Sequence, residues 1–252
     1  MKTPIRVAVA GARGKMGAFT IGALREAEDV EFVGGLVRDK PADADEYADL
    51  AELVAEMRPD VLVDFSVFPA SKAIAIDAIG RGVRPVIGAS GYAAADVQEL
   101  RAAVSSRGIG CVFAPNFAIG AVLMMKFSVE AARHFSAVEI VEMHESGKKD
   151  APSGTAMATA RAIGAVRTLE RAATKSVIAE GARGADVRGV GVHSLRLPGV
   201  VTNQEVRFGG DGELLSIAHA SSSRASFMPG VLLAVRAADG LTRFVDGLGE
   251  LL

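Results

Sequence analysis

The sequence predicts an α/β fold: a doubly wound parallel sheet joined to a second α+β domain that contains a mixed sheet. Three observations carry this reading. Short apolar runs alternate with helical patterns from Ile5 to about Phe117, which is the order of a parallel sheet with crossover helices. The first of these runs passes through a glycine-rich turn directly into a helix. Beyond Phe117 longer strand-like runs take over, two of them joined by Gly209-Gly210-Asp211-Gly212, a hairpin signal.

Composition sets the bounds. A chain of 252 residues can bury a sizeable core, and 50% apolar with 23% charged residues excludes a disordered chain. The formal charge of -2 gives no reason to expect nucleic acid or an anionic membrane surface as a partner. The single cysteine, Cys111, rules out an intrachain disulfide, and its apolar surroundings suit a small buried hydrophobe. No signal peptide opens the sequence and no apolar run reaches the length of a membrane span, so a soluble, cytoplasmic protein is expected.

The elements follow in order. Ile5 to Ala10 is the first strand, and Gly11-Ala12-Arg13-Gly14-Lys15-Met16-Gly17 leads into a helix reaching about Ala27. In that position the glycines allow a tight turn and close packing, with a pyrophosphate on the helix N-terminus, as in a Rossmann-type dinucleotide site. Arg13 stands where the commoner fingerprint has its second glycine. The second strand, Val30 to Val37, ends in Arg38-Asp39, where an acid reads a free ribose 2′-hydroxyl or an arginine a 2′-phosphate. Asp43 to Met57 is a polar, partly helical connection. Strands three to five are Pro59 to Ser66, Pro85 to Ile87 with the turn Gly88-Ala89-Ser90-Gly91, and Ile109 to Ala114 with Pro115-Asn116-Phe117 behind it. Helices at Pro69 to Arg81 and Ala94 to Arg107 lie between them. The turns at Gly11, Ser66, Gly88 and Asn116 all fall at the carboxyl ends of strands, the edge where such sheets bind ligands.

The second domain opens with an apolar helix, Gly120 to His134, whose Met124 and Met125 suit a core. A strand, Ala137 to His144, and a helix, Gly154 to about Glu170, come next. Strand-like runs at Val190 to Leu197, Val200 to Phe208 and Glu213 to Ala220 complete it, with Glu180 to Gly191 read as a mobile loop. The helix Pro229 to Asp239 is expected to return to the first domain. The division is therefore 1–117 with 224–252 for dinucleotide binding, and 118–223 for substrate binding and oligomerisation.

The densest chemistry lies in His144-Glu145-Ser146-Gly147-Lys148-Lys149-Asp150-Ala151-Pro152-Ser153-Gly154-Thr155, between a strand end and a helix start. Ser153 is a good N-cap, Gly154 lets a ligand approach bare backbone amides, and the helix end is positive. A carboxylate docked there meets those amides, the Thr155 hydroxyl and Lys148 together. A capped loop with solvated lysines is the bland alternative for any His-x-x-x-Lys.

That stretch closely resembles the signature of the 4-hydroxy-tetrahydrodipicolinate reductase family, and the resemblance runs along nearly the whole chain. Gly11 to Gly17 is similar to the family's Gly-x-x-Gly-[Arg/Lys]-Met-Gly turn, and Gly88-Ala89-Ser90-Gly91 resembles its Gly-Thr-Thr-Gly turn facing the nicotinamide. Ala114-Pro115-Asn116-Phe117 looks like the segment that completes the cofactor site. His193 to Gly199 and Gln204 to Gly210 resemble the substrate-domain sheet of one branch, and Ser223-Arg224 through Phe227 the segment leading back to the first domain. The resemblance implies hydride transfer from NADPH or NADH to a cyclic imine formed by dehydration of a dicarboxylate substrate, in lysine and diaminopimelate biosynthesis. It makes His144 the proton donor, Lys148 the catalytic lysine, and Gly154 and Thr155 the carboxylate-binding pair; Glu145, at the place of a family histidine that helps hold the substrate, and the N-cap Ser153 join Lys148, Gly154 and Thr155 as candidate substrate residues. It makes Gly11, Ala12, Arg13, Gly14, Lys15, Met16, Gly88, Ala89, Ser90, Ala114, Pro115, Asn116 and Phe117 the cofactor residues, to which Arg38 is added from its place at the second strand end. Domain closure is expected to bring nicotinamide and imine together and expel water.

Two positions depart from the family pattern: Ala89-Ser90 replaces two threonines, and Glu145 replaces the second His of a His-His pair. They keep open a related reductase of another imine or enamine, and a catalytically silent dinucleotide-binding protein. Glu145 is expected to repel a dianionic substrate unless Lys148 or Lys149 neutralises it. An unpaired Arg38 favours NADPH, or use of both cofactors, over strict NADH, with Asp39 opposing it. A homotetramer is expected through the substrate-domain sheets, because one helix cannot cover the apolar sheet face. His134, His193 and His219 read as structural, and no metal site is expected.

Overall fold

The computed structural model describes residues 3–167, 171 and 173–252. The chain divides into two compact units, Met1–Ile119 with Phe227–Leu252, and Gly120–Ser226.

The first unit holds a parallel sheet of seven strands. In chain order its elements are β1 (Ile5–Ala10), α1 (Lys15–Glu26), β2 (Val30–Leu36), β3 (Glu46–Tyr47), α2 (Leu50–Met57), β4 (Val61–Asp64), α3 (Ala70–Gly80), β5 (Arg84–Ile87), α4 (Ala94–Arg107) and β6 (Cys111–Phe113). The strands run β12-β6-β5-β4-β1-β2-β3, where β12 (Phe244–Asp246) follows the helix α7 (Met228–Ala238). The five expected strands are present, and two more extend the edges. β3 lies inside the supposed connection 43–57, and β12 sits near the C-terminus. The near-continuous apolar runs reflect burial on both faces. One face packs Leu36, Leu50, Leu53, Leu62, Ala78 and Val83. Ile79, Ile87, Leu100, Val104 and Phe113 continue that layer beneath α3 and α4. Cys111 is fully buried, and burial pushes its thiol pKa up, as suits an inert core residue.

The second unit holds a mixed sheet, β11-β10-β7-β9-β8. Its elements are α5 (Ile119–Ala131), β7 (Ala137–His144), α6 (Gly154–Val166), β8 (Ala185–Val187), β9 (Val190–Arg196), β10 (Thr202–Gly210) and β11 (Glu213–Ser221). Only β7 and β9 pair in parallel; β10 and β11 form the expected hairpin. Several expectations need correction. The stretch from Glu180 to Gly191 contains β8, antiparallel to β9. α6 ends at Val166, and the rest of its expected course, 168–170, lies outside the described residues. α5 stops at Ala131, so His134 belongs to a turn. The sheet face beneath α6 is closed by two helices rather than one, because Met124 and Ala132 join Ala156, Ala160 and Ile163 over Val138, Ile140, Val206 and Phe208.

Candidate functional site

In the first unit the expected cofactor residues gather at the carboxyl edge of the sheet. The edge is knit strand by strand: the Phe65 amide donates to the Ala10 carbonyl (3.0 Å), Gly88 to Asp64 (2.8 Å), and Ala114 to Ile87 (2.9 Å). Gly11 takes φ +73° and donates to the Leu36 carbonyl at 3.0 Å, which places the turn where β1 parts β2 from β4. A Cβ on Gly17 would lie 2.3 Å from the Gly11 carbonyl oxygen, so α1 enters the turn as closely as backbone allows. No side chain caps α1. A bare glycine turn feeding an uncapped twelve-residue helix fits a dinucleotide pyrophosphate. Gly88 and the ring of Phe117 pack against Phe65, with the two rings edge to face at 5.6 Å. Ala89 is buried while Ser90 is exposed, and the Asn116 side chain accepts from the Ala118 amide at 2.9 Å.

Two of the charged cofactor candidates are already engaged. Arg13 donates to Glu46 and to the Lys40 carbonyl, drawing the 40–46 segment onto the turn. Those hydrogen bonds from Arg13, with the Ala42 amide, hold the Glu46 carboxyl at about 2. Arg38 is not unpaired: Asp39 stands 3.6 Å away, and both side chains are largely solvent-exposed.

In the second unit His144 ends β7, and its surroundings follow from strand periodicity. Residues two apart share a face, so Val138, Ile140, Glu142 and His144 point the same way. Glu142 is fully buried there. Its carboxylate accepts from Arg196 through both oxygens (2.9 and 3.0 Å), from the Ser153 amide (3.2 Å), and meets His144 Nδ1 at 2.5 Å. Burial raises the Glu142 carboxyl, but hydrogen bonds from Arg196, Ser194 and His144 outweigh it and hold it below the ordinary carboxylate range. The other ring nitrogen, Nε2, lies 3.0 Å from the Thr202 hydroxyl, directly across the ladder on β10. Sequence reasoning missed Glu142, Arg196 and Thr202. The available signal was a carboxylate in the apolar phase of β7.

Lys148 follows in the loop to α6, its ammonium 2.7 Å from Asp150. The Ser153 hydroxyl oxygen caps the Ala156 amide and its own amide donates to Glu142, which together fix the helix end. The cap uses the hydroxyl only as an acceptor, so its hydrogen can still be donated to a ligand. Gly154 is the first residue of α6, and a Cβ there would meet nothing within 4 Å, so that helix end opens onto space. Glu145 is paired with neither Lys148 nor Lys149; it accepts from Arg224 at 3.0 Å. Among the described residues no cluster of His, Cys, Asp or Glu could hold a metal, and no helix is long and apolar enough to cross a membrane.

Residues 5–117 match the family model described as dihydrodipicolinate reductase, N-terminus, and residues 120–251 the one described as dihydrodipicolinate reductase, C-terminus. The chain is 43% identical over 264 residues to the 4-hydroxy-tetrahydrodipicolinate reductase of Bacillus licheniformis, covering 100% of this chain and 99% of the relative. It is 44% identical over 267 residues to that of Moorella thermoacetica, with 100% and 99% covered. A solved structure, dipicolinate-bound dihydrodipicolinate reductase from Paenisporosarcina sp. TG-14, superposes with a TM-score of 0.90 at 37% identity, covering 99% of this chain and 100% of that one.

Proposed function

The chain belongs to the dihydrodipicolinate reductase family, and from that membership we infer its reaction and the residues that perform it. It is an NAD(P)H-dependent oxidoreductase that converts 4-hydroxy-tetrahydrodipicolinate, through its dehydrated cyclic imine, to tetrahydrodipicolinate in lysine and diaminopimelate biosynthesis. No observation favours another imine substrate or a silent binding protein. Bound NADH or NADPH supplies the hydride. The glycine turn Gly11–Gly17 and the edge at Gly88 and Ala114–Phe117 hold it.

The observation that supports the residue assignment is that one loop carries Lys148 from His144, at the end of β7, to the open N-terminus of α6. The substrate is a small dicarboxylate, and a carboxylate at Gly154 and Thr155 receives backbone amides and the positive helix end. Lys148 adds a mobile cation, which exchanges Asp150 for the substrate carboxylate. His144 delivers the proton that balances hydride addition. Support for Lys148 is tested by Lys148→Ala, assayed with enzymatically generated substrate: kcat/KM should fall about 10²-fold or more. A variant that keeps over half the activity ends the assignment.

For assembly the reading is a cytoplasmic homotetramer. Its support is the sheet face opposite α5 and α6, where period-two alternation puts Val141, Met143, Leu195 and Leu214 together, Leu214 being 84% exposed. Another copy of this chain would cover that face. A monomer mass by light scattering at micromolar concentration would end this reading.

A further inference from the structure

We propose that Glu142 is the positioning residue that makes His144 a donor through Nε2, by keeping the Nδ1 proton on the side of the ring facing away from the substrate. The proposal rests on the reading of His144 as the proton donor. Its own support is geometric. A carboxylate with no exposed surface is costly unless paired, and Arg196 alone supplies the pairing: a two-pronged contact with both Glu142 oxygens. Arg196 is in turn fixed by the carbonyls of Leu195 (2.6 Å) and Asp150 (2.7 Å). The charge of Glu142 is therefore balanced before His144 is considered, and the 2.5 Å contact to Nδ1 is an addition with another consequence.

An ionised carboxylate can only accept hydrogen bonds, so the nitrogen facing it carries hydrogen in both charge states of the ring. Proton exchange is left to Nε2. Its protein neighbour is suited to exchange, since the Thr202 hydroxyl at 3.0 Å accepts from Nε2–H and donates to bare Nε2. Of the charged groups that neighbour His144 in the chain, Glu145 is paired with Arg224 and Lys148 with Asp150; from β9 Arg196 pairs with Glu142, and β10 contributes the neutral Thr202. Bound NAD(P)H would supply a hydride to an electron-poor carbon of the conjugated substrate, and the electron pair this leaves there would need a proton. The Nε2–H bond of the imidazolium then breaks, its proton taking up that pair, and His144 is left neutral with hydrogen on Nδ1. A solvent proton restores it. Without Glu142 the ring can settle as the neutral Nε2–H tautomer, whose proton is far too weakly acidic to give away.

The test reads the tautomer and the turnover separately. Nitrogen-15 NMR of the full-length protein with labelled histidines, assigned with His144→Gln, should show neutral His144 protonated at Nδ1 in the unaltered enzyme. In Glu142→Gln it should move to Nε2. The kcat of Glu142→Gln should drop between about 10²- and 10⁴-fold, the range of a mis-set tautomer, with KM and NADH binding little changed. An unaltered enzyme whose neutral His144 carries Nε2–H overturns the proposal, and this spectrum decides the matter even if Glu142→Gln fails to fold. Turnover lost in His144→Gln but kept within threefold in Glu142→Gln overturns the positioning role and leaves the donor reading standing. Turnover kept in His144→Gln overturns both.

Discussion

Gly17 and Gly22 lie on the same helix, and alanine at each should act with opposite sign. At Gly22 a Cβ meets nothing within 4 Å, so Gly22→Ala gains about 0.5–1 kcal/mol from reduced chain entropy in a helix. At Gly17 the new Cβ would stand 2.3 Å from the Gly11 oxygen and 2.7 Å from that of Ala12. Ordinary contact begins near 3.4 Å, so helix and turn must part by 3.4 − 2.3, or about 1 Å, and both sides of the clash are backbone. Overpacking of this kind costs about 1–3 kcal/mol, which exceeds the helix gain. On the proposed reading of the turn, the same movement displaces the amides that would receive a pyrophosphate. Losing one charge-assisted hydrogen bond, about 1.5–3 kcal/mol, weakens binding roughly 10- to 150-fold. Thermal melts and NADH fluorescence titrations on both variants check this. Gly22→Ala should melt slightly higher with Kd within about twofold, and Gly17→Ala lower with a Kd raised at least about tenfold. A Gly17→Ala protein that binds NADH like the unaltered enzyme would refute the role assigned to the turn.

Three further outcomes are expected. Arg38→Ala should lower kcat/KM with NADPH about tenfold and leave NADH nearly unchanged, since of the two cofactors only NADPH carries a 2′-phosphate with which Arg38 can pair in place of Asp39; a loss no greater with NADPH than with NADH would refute the 2′-phosphate contact. Glu145→His should lower KM for the substrate at least about threefold, because a carboxylate near a dianion costs ~1–3 kcal/mol between water and an effective dielectric of 20. An unchanged KM would mean that Arg224 already neutralises Glu145. Glu139 on the opposite sheet face gives a pH test. Burial raises its carboxyl, but His193, Arg183 and Arg171 hydrogen-bond it and bring it below its ordinary 4.5. A carboxyl lowered by folding contributes fully above its unfolded value and loses that contribution as pH falls through the folded one. Glu139→Gln should therefore melt lower than the unaltered protein at neutral pH, and the gap should close below pH 4.5. A constant gap would contradict the linkage.

What the sequence revealed and concealed follows from range. The strand, glycine turn and first helix were legible because their signals are local, and the same holds for the β10–β11 hairpin and the Ser153 cap. The strands β3, β8 and β12 are two or three residues long, too short to display a period, and exist only because a neighbour pairs with them. Glu142 was hidden for another reason: a charged residue in a strand reads as solvated, and its partner Arg196 is 54 residues away. The contact between Glu145 and Arg224 spans 79 residues, so nearby lysines were the natural but mistaken choice. At His144 and Lys148 the sequence supplied the residues, while the fold supplied their neighbours.

The chain leaves its first unit at Ile119 and returns at Phe227, so that unit is discontinuous in sequence. This has a consequence for biosynthesis on the ribosome. β6 is made long before β12, its parallel neighbour, and Val112 waits for Val245. Phe117 likewise awaits Gly230, whose backbone it approaches so closely that a Cβ would lie 2.0 Å from its carbonyl oxygen. A nascent chain halted before α7 therefore presents an unpaired parallel edge and an uncovered apolar layer, the features that recruit chaperones or seed aggregation. Any fragment built to isolate the nucleotide-binding half must carry the C-terminal segment, joined across the gap at 119 and 227, rather than simply end after β6.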